Sequence, residues 1–239
     1  MPLTAAILAG GLGTRLQPVL PGTAKTVAQV AGRPFIDYLL CQLVRSGAGR
    51  IVMCTGFHGD QVQTQVGDAF EGVSVLYSQE PNPLGTGGAV ALAWRRFSGP
   101  EGWLVTNGDS YLDLDIPALI AAHRASGCAL TLAILKVADA ARYGTVEWSP
   151  ETRKVLSFRE KSSQPAAASL QAWINGGVYF FEPECLNTLS PDKPLSLEKE
   201  VFPHWVERGI NVYPVQSGRF IDIGTPESYQ SAQLFFSQY

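Results

Sequence analysis

The sequence predicts an α/β fold: a three-layer α/β/α sandwich around a mixed, mainly parallel central sheet, built as one domain of 239 residues. Three observations predict it. Short apolar runs alternate with longer amphipathic ones from residue 4 to residue 135, the rhythm of strand and crossover helix. The first of those runs ends in a glycine cluster, at the strand end where open α/β sheets bind ligands. Beyond residue 140 the pattern changes to strands with few helices between them, which adds antiparallel strands to the sheet.

Each element follows in order. Residues 4–8 (TAAIL) form the first strand and run into Gly10-Gly11-Leu12-Gly13. Residues 33–47 form a helix: Pro34 suits its first turn, Phe35, Leu39 and Leu43 share a face, and Gly47 stops it. A strand over 51–55, a short helix over 58–67, a strand over 73–77, a helix over 87–96 and a strand over 102–106 continue the alternation. The helix over 115–126 has Asp115 as its N-cap and Pro117 in its first turn. A strand over 129–135 follows, then strands over 143–148, 154–159, 175–181 and 211–215, with residues 162–171 as a surface loop between them. A helix over 196–207, kinked by Pro203, and one over 225–237 complete the pattern. Leu234, Phe235 and Phe236 pack that last helix on the sheet or, alternatively, form a homo-oligomer interface.

Composition excludes several classes. Apolar residues make up 46% and charged residues 16%, which rules out a disordered chain. The net charge of −3 argues against a nucleic-acid partner. No apolar stretch approaches the ~18 residues that span a bilayer, so no membrane partner is expected. The N-terminus lacks a basic region before its apolar run. Cys41, Cys54, Cys128 and Cys185 form no C-x-x-C pair, which suits reduced cysteines and a cytoplasmic location.

The glycine cluster is the first feature that carries chemistry. Glycines after a strand let backbone N–H groups approach a phosphate. The segment is not a P-loop, since G-x-x-x-x-G-K-[ST] is absent, and it lacks the three glycines of the dinucleotide pattern G-x-G-x-x-G. Such a loop is often only a turn, but Arg15 follows it directly and Lys25 offers a second cation. Asn107-Gly108-Asp109 ends the strand over 102–106, where a carboxylate is a natural Mg²⁺ ligand. Asp222, between Ile221 and Ile223 on a short strand, is a second carboxylate; a surface position or a cap for the next helix would also explain it. Asp113 and Asp115 compete as metal ligands.

Gly10–Pro18 (GGLGTRLQP), Lys25 and then GRPFIDYLL resemble the opening of the sugar-1-phosphate nucleotidylyltransferases, a family with a Rossmann-like fold. The family has proline after the lysine, where Thr26 stands here. Further motifs follow in family order to about residue 230. The resemblance implies that Leu8, Ala9, Gly10, Gly11, Gly13, Thr14 and Arg15 bind the nucleotide, with Gly85, Thr86 and Gly88 of PLGTGGA at the base, and Asn107 and Gly108. It implies that Tyr143, Gly144, Glu160, Lys161, Asn175 and Gly176 hold the sugar phosphate. Arg15, Lys25 and Asp109 would be catalytic, and Asp109 and Asp222 would hold Mg²⁺. Residues 1–115 would then serve mainly the nucleotide and 116–239 mainly the sugar phosphate. Together NPLGTGGAV, NGDSYLDLD, ARYGTV, INGGVYFF, LSLEKEVFP and FIDIGTPESY are most similar to the D-glycero-α-D-manno-heptose 1-phosphate guanylyltransferases. GTP and that sugar 1-phosphate are therefore the expected substrates. The alternatives are a uridylyltransferase acting on N-acetylmuramate or hexose 1-phosphate, a mannose 1-phosphate guanylyltransferase, or a non-catalytic nucleotide-sugar-binding subunit.

Overall fold

The parallel core of the molecule is set by where crossover helices fit between strands. The computed structural model describes residues 3–140, 142–159, 170–216 and 218–238, without the side chains of 170 and 171. In chain order it contains β1 (Leu3–Ala9), β2 (Gln29–Val30), β3 (Arg33–Pro34), α1 (Phe35–Arg45), β4 (Ala48–Thr55) and α2 (Gly59–Val66). Then come β5 (Ala69–Phe70), β6 (Val73–Gln79), α3 (Gly85–Phe97), β7 (Trp103–Asn107), β8 (Ser110–Leu112) and α4 (Ile116–Ser126). The second half holds β9 (Leu130–Asp139), β10 (Thr145–Ser149), β11 (Lys154–Arg159), β12 (Leu170–Phe181), α5 (Pro183–Leu186), α6 (Phe202–Val206), β13 (Asn211–Val215), β14 (Phe220–Asp222) and α7 (Pro226–Phe236).

One ten-stranded sheet runs β10-β11-β13-β9-β12-β7-β1-β4-β6-β5. The α/β class and the mixed sheet match the sequence reading. The expectation of a mainly parallel sheet does not hold. Parallel ladders join β7, β1, β4 and β6, and β13 to β9. The other six pairings within this sheet, among the described residues, are antiparallel. The cause is connection length: β9 to β12 follow one another with no helix between them among the described residues, and without a crossover helix neighbouring strands pair antiparallel. Thr145 also pairs with Ile174, which closes β10, β11, β13, β9 and β12 on themselves. That half of the sheet curls instead of lying as an open layer.

Side chains alternate across the parallel strands and feed two cores. Ala5, Ile7, Ile51, Met53 and Leu104 face α1, α2, α4 and α7. Ala6, Val52, Cys54, Trp103 and Val105 face α3, α5 and α6. Phe236 of α7 stacks on Tyr38 at 3.8 Å and meets Phe35 and Tyr111 edge-on, so the C-terminal aromatics pack as expected, while Leu234 is 71% exposed.

Local details refine the predicted elements. Pro34 sits one residue before α1, because Arg33–Pro34 pairs with Gln29–Val30 in a small ladder. Asp115 Oδ1 accepts from Ala118 N at 2.9 Å and caps α4 as predicted. The helix expected over 196–207 is divided: Leu197–Val201 forms a π-helical turn, with Val201 N bonded to Ser196 O, and α6 resumes at Phe202. Pro203 cannot donate to the turn before it, and the widened turn absorbs the missing bond. Of the predicted surface loop, 162–169 lies outside the described residues, and Leu170 already belongs to β12. All four cysteines are free, Cys54 and Cys185 buried.

A buried polar chain crosses the second half. Asn211 Nδ2 donates to Thr131 Oγ1 at 3.1 Å, and Thr131 Oγ1 lies 2.8 Å from His123 Nδ1. His123 Nε2 lies 3.0 Å from Glu182, so the ring bridges Thr131 and Glu182. Burial lowers its pKa from the ordinary 6.5, against the opposing pull of Glu182. The folded chain then binds fewer protons there than the unfolded chain, so stability falls as pH drops below about 6.5. Thermal melts from about pH 7 to pH 5 should show that decline, flattened in His123→Gln. An identical slope in the variant would assign the decline to other groups.

Candidate active site

Strand register places the glycine loop and the Asn-Gly-Asp segment side by side. Leu8 pairs with Asn107 and Ala9 with Thr55, so β1, β4 and β7 end together. Gly108 N donates to Leu8 O at 2.9 Å. A Cβ at Gly108 would lie 2.6 Å from that oxygen, so only glycine allows this approach. A cavity of about 270 Å³ opens over these ends. Leu8, Ala9, Gly10, Gly11, Gly85, Thr86, Asn107, Lys25 and Asp109 line it, all predicted from the sequence.

The carboxylate and the cation that the sequence singled out, Asp109 and Lys25, meet here. Lys25, in a 3-10 turn, forms an ion pair with Asp109. The second predicted metal ligand comes from far along the chain. β14 pairs with β8, setting Asp222 opposite Ser110, and Ile223 N donates to Asp109 O at 2.9 Å. Asp109 and Asp222 are thus backbone neighbours across a two-stranded ladder. Arg15 reaches the same corner: a Cβ built on Gly224 would lie 2.9 Å from Asp222 Oδ1 and 3.6 Å from Arg15 Nη2.

Asp222 is heavily engaged. Its Oδ1 accepts from Arg142 Nη2 at 2.9 Å, Gly224 N at 2.8 Å and Ser228 Oγ at 3.0 Å. Its Oδ2 accepts from Tyr143 Oη at 2.6 Å and Arg142 Nη2 at 3.2 Å. Burial works to raise this carboxyl's pKa, but the bonds from Tyr143, Gly224 and Ser228 and the Arg142 charge hold it below the usual value. Burial and the bond to Asp222 push the Tyr143 phenol well up. Asp222 is ionised and Tyr143 neutral at pH 7.

The donor set fits a hard divalent cation. Mg²⁺ takes one or two protein carboxylates and fills its remaining positions with water and substrate phosphates. Asp109 and Asp222, backbone neighbours in this corner, supply two carboxylates of that kind. Among the described residues no cluster of three or more His, Cys, Asp or Glu forms a cage. Asp113, Asp115 and Asp222 all lie outside the cavity lining; Asp115 caps α4, and Asp222 is set apart by its place beside Asp109.

Other predicted residues are placed differently. Thr86 donates its hydroxyl to Glu198 at 2.7 Å and accepts from Leu197 N at 2.9 Å. Gly87 N and Gly88 N both donate to Leu195 O, and Leu195 N donates to Leu84 O. Gly88 therefore lies behind the cavity wall, and the segment 195–198 straps the 84–88 loop in place. Gly13, Thr14, Arg15, Gly88 and Gly108 do not line the cavity. Gly13 adopts φ +60° and lies under Lys25.

On the predicted sugar side, Asn175 N donates to Gly144 O at 2.9 Å. The Asn175 amide bonds Tyr179 and Gly177 within its own β-bulge. Gly176 is packed against Leu112 and Ala133, and Gly177, at φ +72°, abuts Asn107 and Ser110. Gly144, Asn175 and Gly176 thus brace the wall beside Tyr143. Glu160 and Lys161 lie outside the described residues.

Two charged residues escaped the sequence reading, and Leu12, Thr26, Pro83 and Ala89 also line the cavity unpredicted. Glu80 lines the cavity, accepts from Leu84 N at 2.7 Å, and would collide with any Cβ on Gly10. Burial raises its pKa, and the Leu84 bond opposes that. Its signal was a carboxylate at the C-terminal end of a parallel strand. Arg142, on Asp222, was signalled only by standing before Tyr143-Gly144.

A glycine loop, two cations and two carboxylates thus gather at and beside the parallel strand ends, a donor set whose chemistry suits phosphates. The nucleotidyl transferase family model matches residues 4–238. The chain belongs to that family. The transferase is 32% identical over 242 residues to the D-glycero-alpha-D-manno-heptose 1-phosphate guanylyltransferase of Aneurinibacillus thermoaerophilus, covering 99% of this chain and 100% of that one. It is 31% identical to the mannose-1-phosphate guanylyltransferase of Mycobacterium tuberculosis, covering 94% of this chain but 62% of that protein. Among solved structures, HddC from Yersinia pseudotuberculosis complexed with GMP-PN superposes with a TM-score of 0.82 at 30% identity, covering 99% and 100% of the two chains.

The strap offers a direct test of the transferase's framework. Gly85 has φ +71°, and a Cβ there would lie 2.7 Å from Leu195 O. Gly85→Ala should destabilise the fold by about 2–4 kcal/mol in chemical denaturation. Unchanged stability would show the strap to be loose.

Proposed function

We propose that this transferase moves a guanylyl group from GTP to a sugar 1-phosphate, D-glycero-α-D-manno-heptose 1-phosphate foremost, and releases pyrophosphate. The observation that carries the reading is the end-to-end match to the heptose 1-phosphate enzyme. The mannose 1-phosphate relative keeps that sugar as the second candidate. The proposal assigns residues 1–115 mainly to the nucleotide and 116–239 mainly to the sugar phosphate. It takes the parallel half of the sheet with its helices as a Rossmann-like three-layer unit. The reaction belongs to the cytoplasm.

The chemistry joins two anions, so the residues act by positioning and by charge. The phosphate oxygen of the sugar attacks the α-phosphorus in line as pyrophosphate departs. A phosphate nucleophile is already ionised at pH 7, and no histidine lines the cavity to act as a base. Gly10 and Gly11 bring backbone N–H groups to the phosphates. Arg15 stabilises charge on the leaving pyrophosphate. Lys25 holds the nucleotide phosphates, and Lys161 is proposed to hold the sugar phosphate. Mg²⁺, when held by Asp109 and Asp222, supplies further charge neutralisation. Tyr143 keeps Asp222 oriented through its hydrogen bond.

Glu80 supports the choice of base. Among the nucleobases, guanine presents adjacent N1–H and N2–H donors, which one carboxylate accepts together. Uracil offers a single N–H between two acceptors, which a carboxylate repels.

Three outcomes are expected. Pyrophosphate release, measured with GTP, UTP, CTP, ATP and dTTP against heptose, mannose, glucose and N-acetylmuramic acid 1-phosphates, should peak at GTP with heptose. A peak with UTP would support the uridylyltransferase alternative, and silence from folded, nucleotide-binding protein would favour a regulatory subunit. Arg15→Ala and Asp109→Ala should each lower turnover by about 10²–10⁴-fold, and near-normal rates would remove them from the mechanism. Glu80→Gln should raise KM for GTP by about tenfold or more and improve use of UTP relative to GTP. An unchanged GTP-to-UTP ratio would remove Glu80 from base selection.

A further inference from the structure

The hydrogen bonds on Asp222 raise a question that the proposed reaction leaves open. A carboxylate has about four lone-pair sites, and here five contacts from Arg142, Gly224, Ser228 and Tyr143 take them up. A metal ion cannot enter unless one partner leaves. Gly224 contributes a backbone N–H in a turn. Ser228 is fixed in the capping box of α7, where Thr225 Oγ1 accepts from Ser228 N. Tyr143 is half-buried and packs edge-on against Phe220 at 5.4 Å. Arg142 is the solvent-exposed member: its side chain is 41% exposed, against 13% for Asp222. It is also the only one of the four that carries a positive charge.

We propose that Arg142 is a displaceable counter-ion for Asp222. It neutralises the carboxylate in the nucleotide-free chain, yields it to the entering divalent cation, and turns its freed guanidinium toward the phosphates. The inference rests on the reading that Asp109 and Asp222 hold that cation. It makes the cation and the nucleotide bind cooperatively, since each favours the state in which Arg142 has left Asp222. Lys25 stands to Asp109 as Arg142 stands to Asp222. Arg142 differs in that Lys25 already belongs to the proposed catalytic set.

Mn²⁺ titration followed by the EPR signal of the free ion tests this without any turnover. The proteins are wild type, Arg142→Met, Arg142→Lys, Asp109→Asn and Asp222→Asn, each with and without a non-hydrolysable GTP analogue. Arg142→Met retains the aliphatic stem and removes the charge. It should bind Mn²⁺ alone about three- to tenfold more tightly than wild type, a modest gain because the ion pair is partly exposed. It should also lose much of the additional Mn²⁺ affinity that the nucleotide confers. Arg142→Lys should restore the competition. Equal or weaker Mn²⁺ binding by Arg142→Met, or none detectable, overturns the proposal if Asp222→Asn lowers Mn²⁺ binding to wild type in the presence of the analogue. If neither Asp109→Asn nor Asp222→Asn lowers Mn²⁺ binding to the analogue complex, the metal assignment itself fails, and this inference falls with it.

Discussion

The site depends on a short series of backbone contacts that leaves no room for side chains. Gly108 N meets Leu8 O, which fixes the turn after β7 over the end of β1. The next residue, Asp109, offers its carbonyl to Ile223 N, and this single bond brings in a segment more than a hundred residues away. Asp222 then has its place, opposite Ser110 in the two-stranded ladder. A Cβ on Gly108 would meet Leu8 O at 2.6 Å, so the spacing between the two carboxylates rests on one glycine. Rigid placement of this kind suits chemistry that depends on positioning.

Charge balance is the second constraint. Asp109 and Asp222 are backbone neighbours, and like charges brought together in a partly buried corner are only weakly screened. The chain answers with Lys25 on Asp109 and Arg142 on Asp222, while Arg15 approaches the same corner. Lys25, Arg142 and Arg15 thus gather three cations about this corner, an arrangement suited to phosphates. The ion pairs thus do two things: they offset the two carboxylates within the fold, and they hold cations where the proposed reaction needs them.

Much of this was legible in the sequence, and the limits have physical causes. The parallel half was readable because each strand and helix there is a local pattern: TAAIL before glycines, Asp115 before Pro117, Gly47 after an amphipathic run. The glycine loop and Asn107-Gly108-Asp109 announced themselves by following strands. The antiparallel half was readable as strands but not as a sheet, because pairing between β12 and both β7 and β9 is decided by contacts distant in sequence. Thr86 illustrates the limit at a single residue. Its place after Leu84-Gly85 suits either a helix cap or a base contact, yet its hydroxyl is used by Glu198 and Leu197 from the strap. No local pattern signals such a partner. Arg142 was missed for the same reason, since its meaning depends on Asp222, eighty residues later.

The proposed division of labour between the two halves of the chain does not make them separable bodies. α7, the last element, is bolted to the first quarter of the sequence: Tyr229 and Gln233 bond Gln29 O, Gln233 also accepts from Ala31 N, and Phe236 stacks on Tyr38. The same helix begins at the capping box whose Ser228 also holds Asp222. One end of α7 therefore sets the second carboxylate, and its other end is fixed to the nucleotide half. Any shift between the halves would act on Asp222 through this helix, whereas Asp109 is fixed to β1 directly. The two carboxylates keep their register because one chain path ties both to the same parallel sheet. That explains why a site assembled from residues so far apart in sequence needs no separate domain to position its second half.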